Sequence, residues 1–241
     1  GLTTYSNIRQ VKSGCYLEVR ENGRHIKEKK WWNQADHILE VPEKYEDQVE
    51  EFSSLLKDSC RIRLRSDVPI ASAVSGGLDS SSIYTTLNHE GFSSHLHEEK
   101  RINNDFHKGY FVSFPDEYCD ESKYANAVFS NTGKNYKSIS HKIENLPALI
   151  KSTTEHFDTI ALTPLASISP LYNEMSKDGY KISIDGHGVD EMMFGYSSMV
   201  SELKSISQAS GNENYAKHLN EVWVNTLGDP DKVSESENHT V

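Results

Sequence analysis

Residues 68–82 read Val-Pro-Ile-Ala-Ser-Ala-Val-Ser-Gly-Gly-Leu-Asp-Ser-Ser-Ser. Residues 68–74 are short, apolar and bounded by turn residues, the pattern of a strand buried in a parallel sheet. Ser75, Gly76 and Gly77 break it. Asp79, Ser80, Ser81 and Ser82 then open a helix that runs to about Asn88. Glycines at such a junction let the backbone turn tightly and approach a ligand. The free N–H groups of the helix start form a nest for an anion. Ser75, Ser80 and Ser81 add hydroxyl donors. Asp79 is out of place in an anion site unless a cation bridges it to phosphate, and Mg²⁺ does this with one or two carboxylates and several phosphate oxygens. No Lys follows in the GxxxxGK[ST] manner, so this is not that phosphate loop. An ordinary glycine turn with a Ser/Asp helix cap is the plain alternative.

Working outward, further strands are expected at 110–114, 136–140 and 181–185. Helices are expected at 45–65, 121–131, 146–157 and 166–177, with Gly179 as a C-terminal stop. This alternation predicts an α/β, doubly wound parallel sheet. Arg61, Arg63 and Arg65 in the last turn of the first helix complement its dipole; phosphate binding is the alternative. Residues 89–108 (HEGFSSHLHEEKRINNDFHK) read as a mobile surface loop. His89, His95, His97 and His107 there are either solvated or the beginnings of a metal site with no third ligand fixed.

Residues 1–40 form a short N-terminal β segment, with alternating residues around the hairpin signal Asn22-Gly23. Trp31 and Trp32 end it, as a packing contact with the next domain or a ligand shelf. VPEKYED is the junction, so the domains expected are 1–40 and 41–241. From Ser201 onward the sequence is polar and weakly patterned. Its final stretch, DPDKVSESENHTV, reads as a frayed end.

Composition narrows the function. The 241 residues carry 25 Lys and Arg against 36 Asp and Glu, a net charge of −11. Such acidity argues against a general nucleic-acid partner, because phosphate contact needs clustered cations. No apolar run approaches the roughly 18 residues of a membrane span, so no membrane partner is expected. The chain does not open on a signal-peptide pattern. Cys15, Cys60 and Cys119 form no CxxC pair. Their sparse, odd number suits a reducing, cytoplasmic setting.

The second chemical signal is DGHGVDEMMFGY at residues 185–196, after the fourth sheet strand. Ligands of open parallel sheets sit at the carboxyl ends of strands. Asp185, Asp190 and Glu191 bring acid there, so Asp79 and Asp190 are placed to share one Mg²⁺.

SGGLDSS followed by DGHGVDEMMFGY resembles the synthetase domain of glutamine-dependent asparagine synthetases, whose pattern is SGGLDSS, then SGEGSDE and FGGY. DVPIASAVSGGLDSSSI, DESKYANAV and EHFDTIALTPLASISPLYNEM extend the likeness over about residues 5–200. The resemblance implies a sheet of the adenine-nucleotide alpha-hydrolase-like (ATP pyrophosphatase) type, with ATP and Mg²⁺ as cofactors. It implies that Ser75, Gly76, Gly77, Asp79 and Ser80 hold the β- and γ-phosphates. Val74 and Val112 would lie beside the adenosine, and Asp185 and Gly186 at the Ser-Gly that touches the nucleotide. Asp79 and Asp190 would be the Mg²⁺ carboxylates. The implied reaction makes an amide through an acyl-adenylate, releasing pyrophosphate and AMP, from aspartate and ammonia. A related amide-forming or cyclising enzyme with another carboxylate acceptor is the first alternative. A non-catalytic nucleotide-binding homologue is the second.

Three departures bear on this. His187 stands where the pattern has glutamate, either as a base for the incoming amine or as a filler of the glutamate's space. The helical region expected to follow, with its catalytic lysine, is missing, so residues 41–241 are expected to be C-terminally truncated. Residues 1–40 resemble only the end of a glutaminase domain, whose nucleophile Cys15 is not. Ammonia would come from a glutaminase domain upstream or supplied separately, or from another amine, and a homodimer is compatible with the family.

Overall fold

The computed structural model describes residues 3–93, 106–115, 117, 119–132, 136–140, 142–158, 163–193 and 195–227. The N-terminal segment is a two-stranded antiparallel hairpin, β1 (Cys15–Arg20) and β2 (His25–Lys30), with Arg20 opposite His25. The connection is four residues long, and Asn22 and Gly23 both take positive φ in it, as the Asn-Gly signal requires. Trp31 and Trp32 follow. Trp31 is exposed, and Trp32 stacks on His37 with ring centroids 4.0 Å apart.

Helix α1 (Tyr45–Arg63) leads into the main sheet. Its terminal arginines serve the helix itself: Arg61 pairs with Asp58, and Arg63 donates to the Ser59 carbonyl at 3.0 Å. The sheet contains β3 (Ile70–Ala73), β4 (His107–Ser113), β5 (Tyr136–Ser140) and β6 (Ile182–Ser183), all parallel, in the order β5-β4-β3-β6. The chain therefore builds outward from β3 through β4 to β5, then returns to the other side of β3. That reversal creates a topological switch point between β3 and β6.

Helices cover both faces. On one, α2 (Leu78–Ser93) and α3 (Ser122–Thr132) enclose Val74, Tyr84, Phe111, Ala125 and Phe129, while Cys60 of α1 and Leu64 just past its end pack with Ile70 and Leu87. On the other, α5 (Thr163–Lys177) sets Leu171 and Met175 against Ala71 and Tyr110, and α4 (Leu146–Phe157) packs on α5. The alternation along β4 sends Tyr110 and Phe111 to opposite faces, so a strand covered twice must be apolar on both sides. Pro170 lies inside α5 and has no N–H to give Ala166. The Ser169 hydroxyl fills that place, donating to the Ala166 carbonyl at 3.0 Å.

Several expectations need correction. α2 continues to Ser93, and β4 already begins at His107, so both ends of the expected 89–108 loop are regular structure. His107 is buried, between the Ser72 hydroxyl at 2.9 Å and the Asn88 side chain at 3.2 Å, whereas His89 is exposed beside Glu90. His95 and His97 lie outside the described residues, among which no three metal-binding side chains gather. The region after Ser201 is two paired helices, α7 (Ser197–Ala209) and α8 (Glu213–Leu227), preceded by the short α6 (Val189–Met193). Ser207 and Ala216 are buried in that pair. Met199, Val200, Leu203 and Ile206 carry a helical period in α7 that the polar residues between them obscured. The expected terminal stretch 229–241 falls outside the described residues. Among those residues, no helix is long and apolar enough to cross a membrane.

Candidate active site at the switch point

The two sequence signals meet where β3 and β6 part. Gly76 has φ +92°, and a Cβ there would fall 2.5 Å from the Ala125 nitrogen, so the loop lies directly on the start of α3. The Ser75 and Gly77 amides donate to the Ser80 and Ser75 hydroxyl oxygens at 3.2 and 3.1 Å. The loop thus closes on itself before α2 begins.

From the other side, Gly186 packs against the first turn of α2, where a Cβ would come within 2.8 Å of the Ser80 nitrogen. Asp185 joins the two strands. Its Oδ1 accepts from the Ala73 amide and the Ser183 hydroxyl, both at 2.6 Å, and its Oδ2 accepts from the Tyr172 hydroxyl at 2.9 Å. The seam is extended by Ile184 N–H to Ala71 at 2.9 Å and by the Ser72 hydroxyl to the Ile184 carbonyl at 2.6 Å. The main-chain ladder thus ends at Ile184, and the Asp185 carboxylate takes the next amide, Ala73, so the expected strand 181–185 is regular only over Ile182–Ser183.

A cleft of about 460 Å³ opens above this seam. It is lined by Val74, Ser75, Gly77, Asp79, Ser80, Val112, Asp185, Gly186, His187 and Asp190, all expected from the sequence. Gly76 is the one expected residue that does not line it; it supports the loop instead. Sequence reading passed over Tyr172, Phe111, Glu121 and Cys119, which also line it. Tyr172 follows Ile168, another lining residue, by one helical turn of α5, a weak signal with the helix face unknown.

The electrostatics are those of a site short of cations. Burial raises the Asp79 carboxyl above its usual range, and the charge of Asp190 raises it further. Two carboxylates in mutual repulsion on one cleft fit a divalent cation. Because no third metal-binding side chain joins them among the described residues, most remaining positions of such an ion would fall to ligand oxygens and water. Among the described residues no Lys or Arg lines the cleft, and His187, with its side chain 69% exposed, is the lining residue of that set able to carry positive charge. Burial and then the Asp185 charge raise the Tyr172 phenol, so it remains a donor.

The sequence model of the asparagine synthase family matches residues 51–238. The chain belongs to that family. Asparagine synthetase [glutamine-hydrolyzing] 2 of Bacillus subtilis is 24% identical over 234 residues, covering 92% of this chain and 29% of that protein. Amidase chry2 of Gibberella zeae is 30% identical over 207 residues, covering 80% of this chain and 30% of that one. This asparagine synthase family chain thus spans about a third of the length of the curated relatives it matches. An NH3-dependent NAD synthetase from Campylobacter jejuni aligns at 12% identity with a TM-score of 0.38, over 78% of this chain and 92% of that chain, a likeness too distant to carry an argument.

Proposed function

We propose that this chain is the synthetase part of an ATP-dependent, amide-forming ligase that works through an acyl-adenylate. The observation that carries the reading is the meeting of the Ser75–Ser80 loop and the Asp185–Asp190 segment across the switch point, with Gly186 against Ser80. Family membership supports it.

In this reading Ser75, Gly77 and Ser80 receive the β- and γ-phosphates, the Ser75 and Gly77 amides exchanging their hydroxyl partners for phosphate oxygens, with Gly76 as support. Val74 and Val112 flank the adenosine, beside Asp185 and Gly186. Asp79 and Asp190 would hold Mg²⁺, which when bound supplies charge neutralisation for the pyrophosphate group. The substrate carboxylate attacks the α-phosphorus, the bond to the bridging oxygen breaks, and pyrophosphate leaves. The chain's part in this step is positioning and preorganised donors. Removing one such donor typically costs ~2.7–4 kcal/mol of barrier. An amine then attacks the activated carbonyl, AMP leaves, and His187 takes the amine's proton.

Aspartate is the first acceptor to test, with nitrogen from a glutaminase domain of which residues 1–40 would be the last part. A different carboxylate is the second reading. It is favoured by His187, a potential cation where the family pattern carries an acid, and by the similarity to proteins named amidases. Exchange of labelled pyrophosphate into ATP tests both. Exchange dependent on aspartate supports asparagine formation, and exchange dependent on another carboxylate supports the second reading. ATP binding without exchange on any carboxylate would leave a non-catalytic nucleotide-binding homologue.

A further inference from the structure

We propose that Asp185 is the positioning residue that sets His187 for the amine step, an inference that rests on the amide-forming reading of the cleft. Where the family pattern has Ser-Gly-Glu, this chain has Asp185-Gly186-His187, and the fold brings the two altered side chains together. His187 Nδ1 lies 3.9 Å from Asp185 Oδ2. The two side chains are unlike in exposure: that of Asp185 is 9% exposed and that of His187 69%. Asp185 is held by the Ala73 amide and by the Ser183 and Tyr172 hydroxyls. Its Oδ1 carries two of these donors and its Oδ2 only one, so Oδ2 retains accepting capacity on the side that His187 faces.

A carboxylate only accepts hydrogen bonds. An imidazole nitrogen turned toward it must therefore carry the proton, and this fixes the tautomer. Nδ1–H toward Asp185 leaves the lone pair on Nε2, the atom available as a base. Tyr172 remains a donor, because burial and Asp185 hold its phenol protonated, so it anchors the carboxylate without drawing the proton off Nδ1. A separation of 3.9 Å is long for a hydrogen bond, and such contacts commonly tighten only when substrate is bound.

The step balances as follows. The amine nitrogen forms a bond to the acyl carbon. The bond from that carbon to the AMP oxygen breaks, and its electron pair leaves with AMP. The proton shed by the amine goes to His187 Nε2, giving an imidazolium that faces the Asp185 carboxylate, and later passes to water. In the amine step Asp185 acts through His187, apart from its place beside the nucleotide.

The test uses the chain with ¹⁵N-labelled histidine, the His187 signals being identified by their loss in His187→Gln. The Nδ1–H tautomer should predominate in the wild type and give way to Nε2–H in Asp185→Asn; a wild type already in the Nε2–H form overturns the proposal. In activity, Asp185→Asn should lower the ratio of amide formation to pyrophosphate exchange about tenfold or more. The same change in a His187→Gln background should lower it no further. An equal loss in both backgrounds, or a fall of both half-reactions in step, would make Asp185 a structural clamp alone and overturn the proposal. Should no carboxylate support exchange, the adenylation reading fails, while the tautomer still decides the Asp185–His187 pairing. Should Asp185→Asn fail to fold, the wild-type tautomer and its persistence in Tyr172→Phe, which keeps the carboxylate, decide the matter.

Discussion

The two ends of the parallel sheet use acidic residues in opposite ways. At the carboxyl end, Asp79 and Asp190 repel each other across a cleft that no Lys or Arg lines among the described residues, and Asp79 is pushed up. Toward the amino end, on the α5 face, Asp178 accepts from Lys108 at 2.9 Å, Tyr110 at 2.7 Å and Lys137 at 3.0 Å. These three donors hold the Asp178 carboxyl far below its usual range. Glu174 completes the cluster through Lys137 and Lys177 and is also lowered. The same chemical group thus fastens α5 to the sheet at one end and, in the proposed reading, receives a ligand's charge at the other. Acid that is satisfied within the protein serves stability. Acid left in repulsion is kept for function at some cost in stability.

The contrast can be broken most severely at the cleft. Asp79→Asn or Asp190→Asn should reduce carboxylate-dependent pyrophosphate exchange by about 10²–10³-fold, the loss typical of one electrostatic group in a preorganised site. The stability of Asp79→Asn should move the other way. A carboxyl with a raised pKa in the fold carries no penalty below its unfolded pKa. The penalty appears as pH rises toward the folded value and persists above it. Without nucleotide, Asp79→Asn should therefore melt at or above the wild-type temperature near neutral pH, and calorimetry with and without Mg²⁺-ATP should show the ligand-dependent rise in Tm greatly reduced. A lower Tm without ligand would mean that Asp79 is structural, and the contrast between the two ends would fail.

A smaller effect comes from geometry at the same end. Gly186→Ala sets a methyl group against the Ser80 nitrogen, and the loop or β6 must shift. We expect about 1–3 kcal/mol of destabilisation in urea unfolding, with weaker ATP binding by calorimetric titration. Unchanged ATP affinity would show that the spacing of the two loops does not position the nucleotide.

The smallest effect belongs to the paired end. Asp178→Asn should cost about 1 kcal/mol near neutral pH, because the cluster is partly solvated and screened. The lowered folded pKa makes this contribution complete above the unfolded value of about 3.9. It is lost as pH falls from there through the folded value, so wild type and variant should converge in acid. Unfolding free energies measured from pH 7 down to acid would check it, and a gap that stays constant would show that the charge of Asp178 is not what matters. Pyrophosphate exchange should not follow this change, since none of the cluster lines the cleft.

Local chemistry was legible without the fold. The run Ile70–Ala73, the glycines after it and the serines that open α2 announce strand, turn and helix through adjacent residues. The boundaries of β5 and α4 are likewise written in short-range pattern. Reading failed where the decisive contacts are side-chain bonds or small residues. Residues 181–185 gave an alternating pattern longer than β6, because the bonds of Asp185 and Ser72 take the place of the ladder at its end. The α7–α8 pair closes on Ser207 and Ala216, and His107 resembled a loop histidine because its partners, Ser72 and Asn88, are supplied by other elements.

By itself, the sequence determined the units: a strand–glycine–helix junction, a second glycine segment rich in acid, and the residue types each presents. These follow from φ/ψ preference and hydrophobic period, which act over a few residues. Only the tertiary structure decided the order β5-β4-β3-β6, and with it the meeting of Asp79 with Asp190 and of Asp185 with the amide of Ala73. Burial and charge interaction depend on distance in space. Whether an aspartate stands beside lysines or beside another aspartate is settled when the sheet is assembled.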